Sequence, residues 1–452
     1  MQCLNWTTRG DVVIPKRTRI LTNVVVLALI GMTLIPEYGS DLLELTGINS
    51  RRLWSRVFEG TFWYQPLVTA GYRKPRNRFV RIVTLSDQRE PTKLFADICL
   101  QRIFMARLLH KLQDAGSALV VLDKYFSLDS CPDPQDPGNQ ALNQAISTSK
   151  VPIVVGLHTI TSEQLKLRRN LSEDEERALE ATGLVLSPAL HFDAPSREVH
   201  YGLIRLNRDN RKIPLEWPVY RSLSELAAPQ PKPDVLPTLS RAAAEQYDPS
   251  LSSDFKFKEL LTRGAHPYTA FLTKEEIVTF SALDLLCGPK FSQTSDWQHC
   301  EPSDYQNEAI HNHIVVVGNS TDDEDAHPSV LGVVPGVVLQ ANYIESLLDD
   351  RYLRPVPPLW NAAINLSALV LIGSLFVLSS TGRSRFVVSP ERAAIASLCL
   401  TLLLWGLSYL IVLHLGYYLA VWFPGLYVLG MWAHTRLEKM KHRNQQKEGN
   451  NA

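Results

Sequence analysis

The sequence predicts an α/β exported domain, built on a mostly parallel sheet flanked by helices with an inserted α+β elaboration, and four transmembrane helices, one before the domain and three after it. Three observations predict this. Short apolar runs alternate with amphipathic helical stretches, the pattern of strands covered by helices on both faces. The stretches 18–36, 359–379, 393–413 and 416–434 are long and apolar enough to weigh as spans, which need roughly 17–25 residues. Basic clusters stand before the first (Lys16, Arg17, Arg19), between the second and third (Arg383, Arg385, Arg392) and after the fourth (Arg436, Lys439, Lys441, Arg443). The positive-inside rule places all three in the cytoplasm, which four crossings allow only with residues 37–358 outside. The segments 1–17, 380–392 and 435–452 are then cytoplasmic.

Taken in order, the first span is short and contains Thr22 and Asn23, so its basic start and apolar core fit either an uncleaved anchor or a cleaved signal. The absence of a small-x-small pattern at Leu34-Ile35-Pro36-Glu37-Tyr38 favours the anchor. A connecting helix is read over 42–62. FVRIVTL at 79–85 is a strand, 92–114 a helix closed by Gly116, ALVVL at 118–122 a strand ending at Asp123, 139–149 a short helix, and VPIVVGL at 151–157 a third strand. Between 160 and 312 the alternation breaks. Val199–Leu206 and Lys212–Val219 read there as paired strands around the Asn207-Arg208-Asp209-Asn210 turn, followed by an exposed Pro-rich loop at 229–237. The mixed charges of 165–179 suggest a solvated helix face. Residues 314–318 form the last core strand. A loop carrying Asp322, Asp323, Glu324, Asp325 and His327 leads to a helix at 337–350, whose apolar positions include Val337, Val338, Ala341, Ile344 and Leu347, and Pro355, Pro357 and Pro358 stop it before the second span.

Composition narrows the function. Lys+Arg and Asp+Glu both number 46, so net charge is zero and no nucleic-acid partner is indicated. The chain carries no phosphate-cradling glycine loop, no G-x-S-x-G elbow, no H-E-x-x-H and no kinase motif set, so neither an enzyme nor a bound cofactor is expected. Of six cysteines, Cys131, Cys287 and Cys300 lie in polar, turn-like surroundings of the exported region, where an oxidising compartment permits pairing. Cys287 with Cys300 is the first choice because it closes a short loop; Cys99 reads as a helix-face residue and Cys399 falls within a span.

The stretch from Ile314 to Pro358 resembles the end of a CHASE2 domain, whose pattern is roughly strand, D-x-H-x-x-P, P-G and an H-A-N helix. Asp325 and His327 fit the first part, Pro335-Gly336 follow at the family's distance, and Ala341-Asn342 fit the helix. Val330 stands where the family has proline and Gln340 where it has histidine. TFSALDLLCG at 279–288 resembles the family's Y-S-x-x-D-L-L-x-G, and Gly416-Tyr417-Tyr418-Leu419 with Pro424-Gly425 its final span. The resemblance implies a sensor of the bacterial inner membrane that works as a homodimer. Such proteins usually continue into a cyclase or kinase, whereas about eighteen residues follow the last span here, so the expected output is a separate effector protein.

Asp87, Asp123, His158 and the 319–327 loop, with Asp325 and His327, each follow a strand, and the carboxyl ends of parallel strands line the usual ligand crevice. They are the candidate ligand-binding residues, against the alternative that they cap helices and satisfy turn amides. Pro335, Gly336, Asn342 and Pro358 are the candidate signal-coupling positions. No metal is expected: the acidic run 322–325 lacks the spacing of a calcium loop and reads as a solvated turn, and His299, Cys300, His311 and His313 match no zinc spacing. The leading reading is an extracytoplasmic sensor of an unidentified ligand or partner. A constitutive envelope scaffold is the second, and an exported hydrolase using Asp123 and His327 the third.

Overall fold

The structure is a computed structural model that describes residues 77–356 with breaks, the longer ones at 86–96, 166–174, 176–183, 188–198 and 254–268, and scattered residues between 360 and 418. The first span, the connecting helix at 42–62, the 435–452 tail and most of 165–179 lie outside the described residues. The chain divides into two compact units, Tyr64–Pro355 and a second made of Met1–Trp63 with Val356–Ala452.

In the first unit the elements are β1 (Val80–Thr84), α1 (Ile98–Asp114), β2 (Leu119–Leu122), α2 (Pro137–Ser147), β3 (Ile153–Leu157), β4 (Thr159–Thr161), β5 (Leu184–Leu186), β6 (Val199–Leu203), β7 (Glu216–Val219) and β8 (Asp234–Pro237). They continue as α3 (Leu239–Tyr247), β9 (Thr279–Ser281), α4 (Ala282–Cys287), α5 (Asn307–Ile310), β10 (Ile314–Gly318), β11 (Ala326–Ser329), β12 (Gly332–Pro335) and α6 (Gly336–Leu348). Six strands form one sheet in the order β6-β3-β2-β10-β1-β9, and every pairing is parallel. The connections β1 to β2, β2 to β3 and β9 to β10 all run the same way across the sheet, so a single crossover hand puts α1, α2 and α4 on one face. The connection leaving β6 runs back the other way, and α3 lies on the opposite face beside α6. The central strands are therefore covered on both sides, which is why LVVL and IVVVG show no polar alternation and are buried throughout. Phe104, Leu108 and Leu109 of α1, Leu142 of α2 and Leu285 of α4 make the core of the first face with Val120 and Val315.

Local chemistry sets several boundaries. Asp97 caps α1 by accepting from the Leu100 amide at 3.1 Å, which sets the first residue of α1 at Ile98; the 92–96 part of the predicted helix lies outside the described residues. Gly288, at φ +83°, ends α4 in a conformation that side chains resist. Gly202 lets α3 approach β6: a Cβ there would stand 2.6 Å from the Leu239 Cα and 2.8 Å from the Thr238 oxygen.

Three readings of the middle region are corrected. Residues 199–206 and 212–219 do not pair as a hairpin: β6 joins the main sheet beside β3, while β7 pairs antiparallel with β8. Small Gly156 and Gly202 lie opposite each other in β3 and β6, which permits this close edge addition. The end of the Pro-rich loop is thus β8, since Asp234–Pro237 are placed where β7 can use their backbone. The stretch after Gly318, read as a loop through 327, includes a β11–β12 hairpin in which His327 is opposite Val334.

Both Cys287–Cys300 and Cys99–Cys131 are disulfides. Reading Cys99 as only a helix-face residue missed the second bridge. Cys131 comes within reach because Arg102, 1% exposed, ties Ser127 to Asn139: it donates to the Asn139 Oδ1 and to the Ser127 carbonyl, and Asn139 in turn donates to the carbonyls of Cys131 and Asp133. With Cys300 oxidised, the zinc set containing it has no thiolate to offer.

No helix among the described residues is long and apolar enough to cross a membrane. The described residues of 359–379 and 393–413 are helical, whereas Tyr417–Tyr418 are extended. The helix predicted from 416 therefore does not include them, in keeping with the strand preference of adjacent aromatics.

Candidate functional site

At the carboxyl end of the sheet the pairing registers run on into one row across all six strands: Gly202, Gly156, Asp123, Gly318, Thr84 and Ser281. Asp123 is the carboxylate in that row. Its amide donates to the Val317 carbonyl at 2.8 Å, which fixes it beside Gly318. A Cβ on Gly318 would stand 2.9 Å from the Val337 Cβ and 3.3 Å from the Asp123 Cβ, so the glycine admits the first turn of α6 against the strand end. β10 leads towards α6 on one face, while its neighbours β1 and β2 lead into α1 and α2 on the other. Strand ends that part in this way mark the usual ligand position of a parallel sheet.

His158 follows β3, the neighbour of β2, and its ring stacks on Tyr125 with centroids 4.6 Å apart and planes 21° apart. Its carbonyl accepts from the Ser187 amide at 2.9 Å, which ties the β3 end to the residue after β5. Beyond β6, the Arg205 guanidinium lies 5.5 Å from the Trp217 ring centroid. Asp123 and His158 thus lie at the carboxyl ends of the neighbouring strands β2 and β3. His327 is held in the β11–β12 hairpin and not in the loop assigned to it. Asp87 and Asp325 lie outside the described residues, as does Pro358.

Helix α6 is buried along its length from Gly336 to Leu347 and carries the polar groups that tie this edge to the rest of the domain. Gln340, 1% exposed, donates from Nε2 to the Ile204 carbonyl beyond β6 at 3.3 Å, while its Oε1 is buried without a hydrogen-bond partner. Buried acceptors are usually satisfied, so an oxygen of this kind, on the residue that bonds the chain just beyond β6, is the one acceptor here that suits a further donor. The chemistry of this edge, a carboxylate, an amide oxygen and a stacked Tyr–His pair, fits a small polar molecule with hydroxyl or amine donors.

Asn342, predicted to couple signals, is a clasp. Its Oδ1 accepts from the Leu272 amide at 2.6 Å, and its Nδ2 donates to the carbonyls of Leu272 at 3.3 Å and Val338 at 2.9 Å. One turn on, the hydroxyl of Ser346 is 2.8 Å from that of Thr269, so positions four apart hold one backbone segment. Pro335 and Gly336 stand where β12 ends and α6 begins, Pro335 being the residue before the first turn. Replacing Asn342 by alanine is expected to lower the unfolding free energy by about 3 kcal/mol, because two buried backbone groups of Leu272 lose their partners. Denaturant unfolding checks this; Asn342→Asp, which sets a buried carboxyl against the Leu272 and Val338 carbonyl oxygens, is expected to cost at least as much as alanine.

The group that sequence reasoning missed is Glu345. Its carboxylate accepts from the amides of Arg78 (2.6 Å), Phe79 (3.2 Å) and Val80 (2.9 Å), three successive donors at the amino end of β1. Burial holds its carboxyl above the ordinary range, against the pull of those three amides. The signal was a charged residue next to Ile344 in an otherwise apolar helix, with no basic partner one turn away.

Among the described residues the one close grouping of metal-ligating types is Cys99, Cys131 and Asp136, and the two cysteines are bonded to each other. Compared with known families, residues 25–375 match the model of the CHASE2 domain. No curated protein and no solved structure matches the chain.

Proposed function

The chain belongs to the CHASE2 family, a family of extracellular sensory domains, and from that premise we propose that it is a membrane-anchored sensor that signals through a separate effector protein. The observation that carries this reading is the placement of α6. Its first turns meet the strand ends at Gly318 and Ile204, where a ligand would bind, and its last turns hold the amino end of β1 through Glu345. A helix of thirteen residues is about 20 Å long. It therefore runs from one end of the sheet to the other, and a ligand that favours one of its positions at Gln340 shifts what it holds at Arg78 to Val80. For this the ligand must bind the two positions with different affinity. The chain leaves α6 at Leu348, and the second unit resumes at Val356.

Anchoring by one N-terminal and three C-terminal spans, with residues 37–358 outside the inner membrane of a bacterium, is supported by the basic clusters and by exposed side chains. Trp360, Leu366, Val370, Ile395, Leu403 and Leu410, all in helical residues, are between 50% and 67% exposed. Apolar side chains exposed at this density usually face a partner or lipid. The ligand site comprises Asp123, His158 and Gln340, with Asp87, Asp325 and His327 as further candidates, and the chain acts without a cofactor, without catalysis of its own and as a homodimer.

The test is mild cross-linking in native membranes, followed by purification of the tagged chain with and without residues 436–452. Recovery of a kinase, cyclase or other effector that depends on the tail is the expected result. Recovery of the chain alone, or of envelope structural proteins whether or not the tail is present, overturns the signalling reading in favour of a scaffold.

A further inference from the structure

At the amino edge of the sheet, opposite the candidate ligand position, Arg81 of β1 reaches His313, the residue before β10. The Arg81 Nη2 lies 2.7 Å from the His313 Nε2, and the His313 Nδ1 lies 2.7 Å from the His311 carbonyl oxygen. A guanidinium only donates, so Nε2 is the acceptor and the imidazole proton is on Nδ1, where it donates to His311. The ring is neutral in this arrangement. A second proton has only Nε2 to occupy, and there it faces a donor of the same charge.

Arg81 is also the knot of this edge. Its Nε donates to the Ala309 carbonyl of α5 at 3.2 Å, and its Nη1 donates to the Asn77 Oδ1 at 2.7 Å and the Val80 carbonyl at 3.0 Å. Asn77 donates back to the Val80 carbonyl at 2.8 Å and accepts from the Val278 amide, just before β9, at 3.4 Å. Four elements meet through two side chains.

We propose that the Arg81–His313 pair is an acid-operated latch: protonation of His313 expels the Arg81 guanidinium and loosens the amino ends of β1, β9 and β10 together with α5. The groups acting on His313 fit this. Burial, the Arg81 charge and the His311 ring all oppose its protonation, while the His311 carbonyl favours it, and its pKa lies below the ordinary 6.5. The stability this group contributes is therefore present above that value and lost as pH falls through the folded-state value. Glu345 faces Arg81 from α6 and is its countercharge; its own raised pKa gives the opposite slope, since protonation there relieves a buried charge. Substitution of His313 separates the two. The latch stands on its own geometry, and on the sensor reading it makes external acidity a stimulus.

The test is hydrogen exchange by mass spectrometry on the full-length chain in detergent, at about pH 7.5 and about pH 5, after correction for intrinsic exchange. In wild type, peptides covering 77–85 and 307–318 are expected to lose protection by about tenfold more than those of α2 on acidification. His313→Gln, which keeps an acceptor and cannot titrate, is expected to abolish that difference. Retention of the difference in His313→Gln overturns the proposal. Should that variant not fold, histidine-labelled NMR of the wild type decides: a neutral Nδ1–H tautomer titrating below the ordinary range supports the latch, and any other tautomer, or titration at or above that range, overturns it. Neither readout needs an effector or a ligand, so failure of the sensor reading leaves this result legible.

Discussion

Glu345→Ala is expected to be the most damaging single substitution in the domain, lowering the unfolding free energy by about 3–5 kcal/mol. The carboxylate is a shared acceptor for the amides of Arg78, Phe79 and Val80. Alanine leaves those three donors without it, and each buried donor stripped of its partner costs about 1–3 kcal/mol, less where water can enter. Glu345→Gln keeps one acceptor oxygen and is expected to cost about half as much. The pH dependence gives a second check. Because burial holds this carboxyl above its ordinary value, its contribution to stability is fully present below the unfolded-state pKa and is lost as pH rises through the folded-state pKa. The protonated acid still accepts through both oxygens while shedding the buried charge. Urea unfolding of wild type and both variants across the acid range would measure the slope, which alanine and glutamine should both lack. A wild-type slope that persists in them would show that another carboxyl is responsible.

Gly202→Ala is expected to cost about 3 kcal/mol, near the top of the range for overpacking. The methyl group would fall 2.6 Å from the Leu239 Cα, 2.8 Å from the Leu239 nitrogen and 2.8 Å from the Thr238 oxygen. All three are backbone atoms at the start of α3, so no rotamer change relieves the clash. The first turn of α3 must lift from the sheet. Thr238 would be drawn along, and its hydroxyl, which caps α3 and donates to the Pro214 carbonyl at 2.6 Å, holds the β7–β8 region to the sheet. Thermal unfolding and exchange protection of the α3 peptide would measure the effect. Near-native stability would mean that α3 is held far more loosely than the close approach at Gly202 implies.

The sheet was legible because its strands are near-continuous apolar runs at spacings that leave room for crossover helices, and Val80–Thr84, Leu119–Leu122, Ile153–Leu157 and Ile314–Gly318 fall where that pattern puts them. Strand partners were not legible. β6 has the composition of half a hairpin, and what sends it to β3 is a pair of facing glycines together with the α3 cap, both products of the tertiary arrangement. The β8 strand hides behind prolines, which suppress any strand signal. At the candidate site, the positions of Asp123 and His158 after β2 and β3 followed from a topological rule that needs only the ends of strands. Glu345 and Gln340 were not, because a polar residue within an apolar helix is read as its wet side by default. Here α6 has no wet side before its last residues: Glu345, Asn342 and the Gln340 amide nitrogen each bond backbone more than sixty residues away in sequence, and only the Gln340 Oε1 among these groups is left without a partner.

The position of β10 bears on how the domain assembles. β1 and β2 are the first two strands of the sheet to be synthesised, yet they do not pair with each other; β10 lies between them and arrives more than two hundred residues after β1. Until Ile314–Gly318 is available, the chain has two half-sheets, β1 with β9 and β2 with β3 and β6, each with a bare apolar edge towards the other. Closure must therefore be a late step of high contact order, slow in comparison with the growth of either half. A nascent chain stalled short of that strand would expose the middle of its core, where pairing with another molecule is easiest, and so would depend on a chaperone for longer than its size alone suggests.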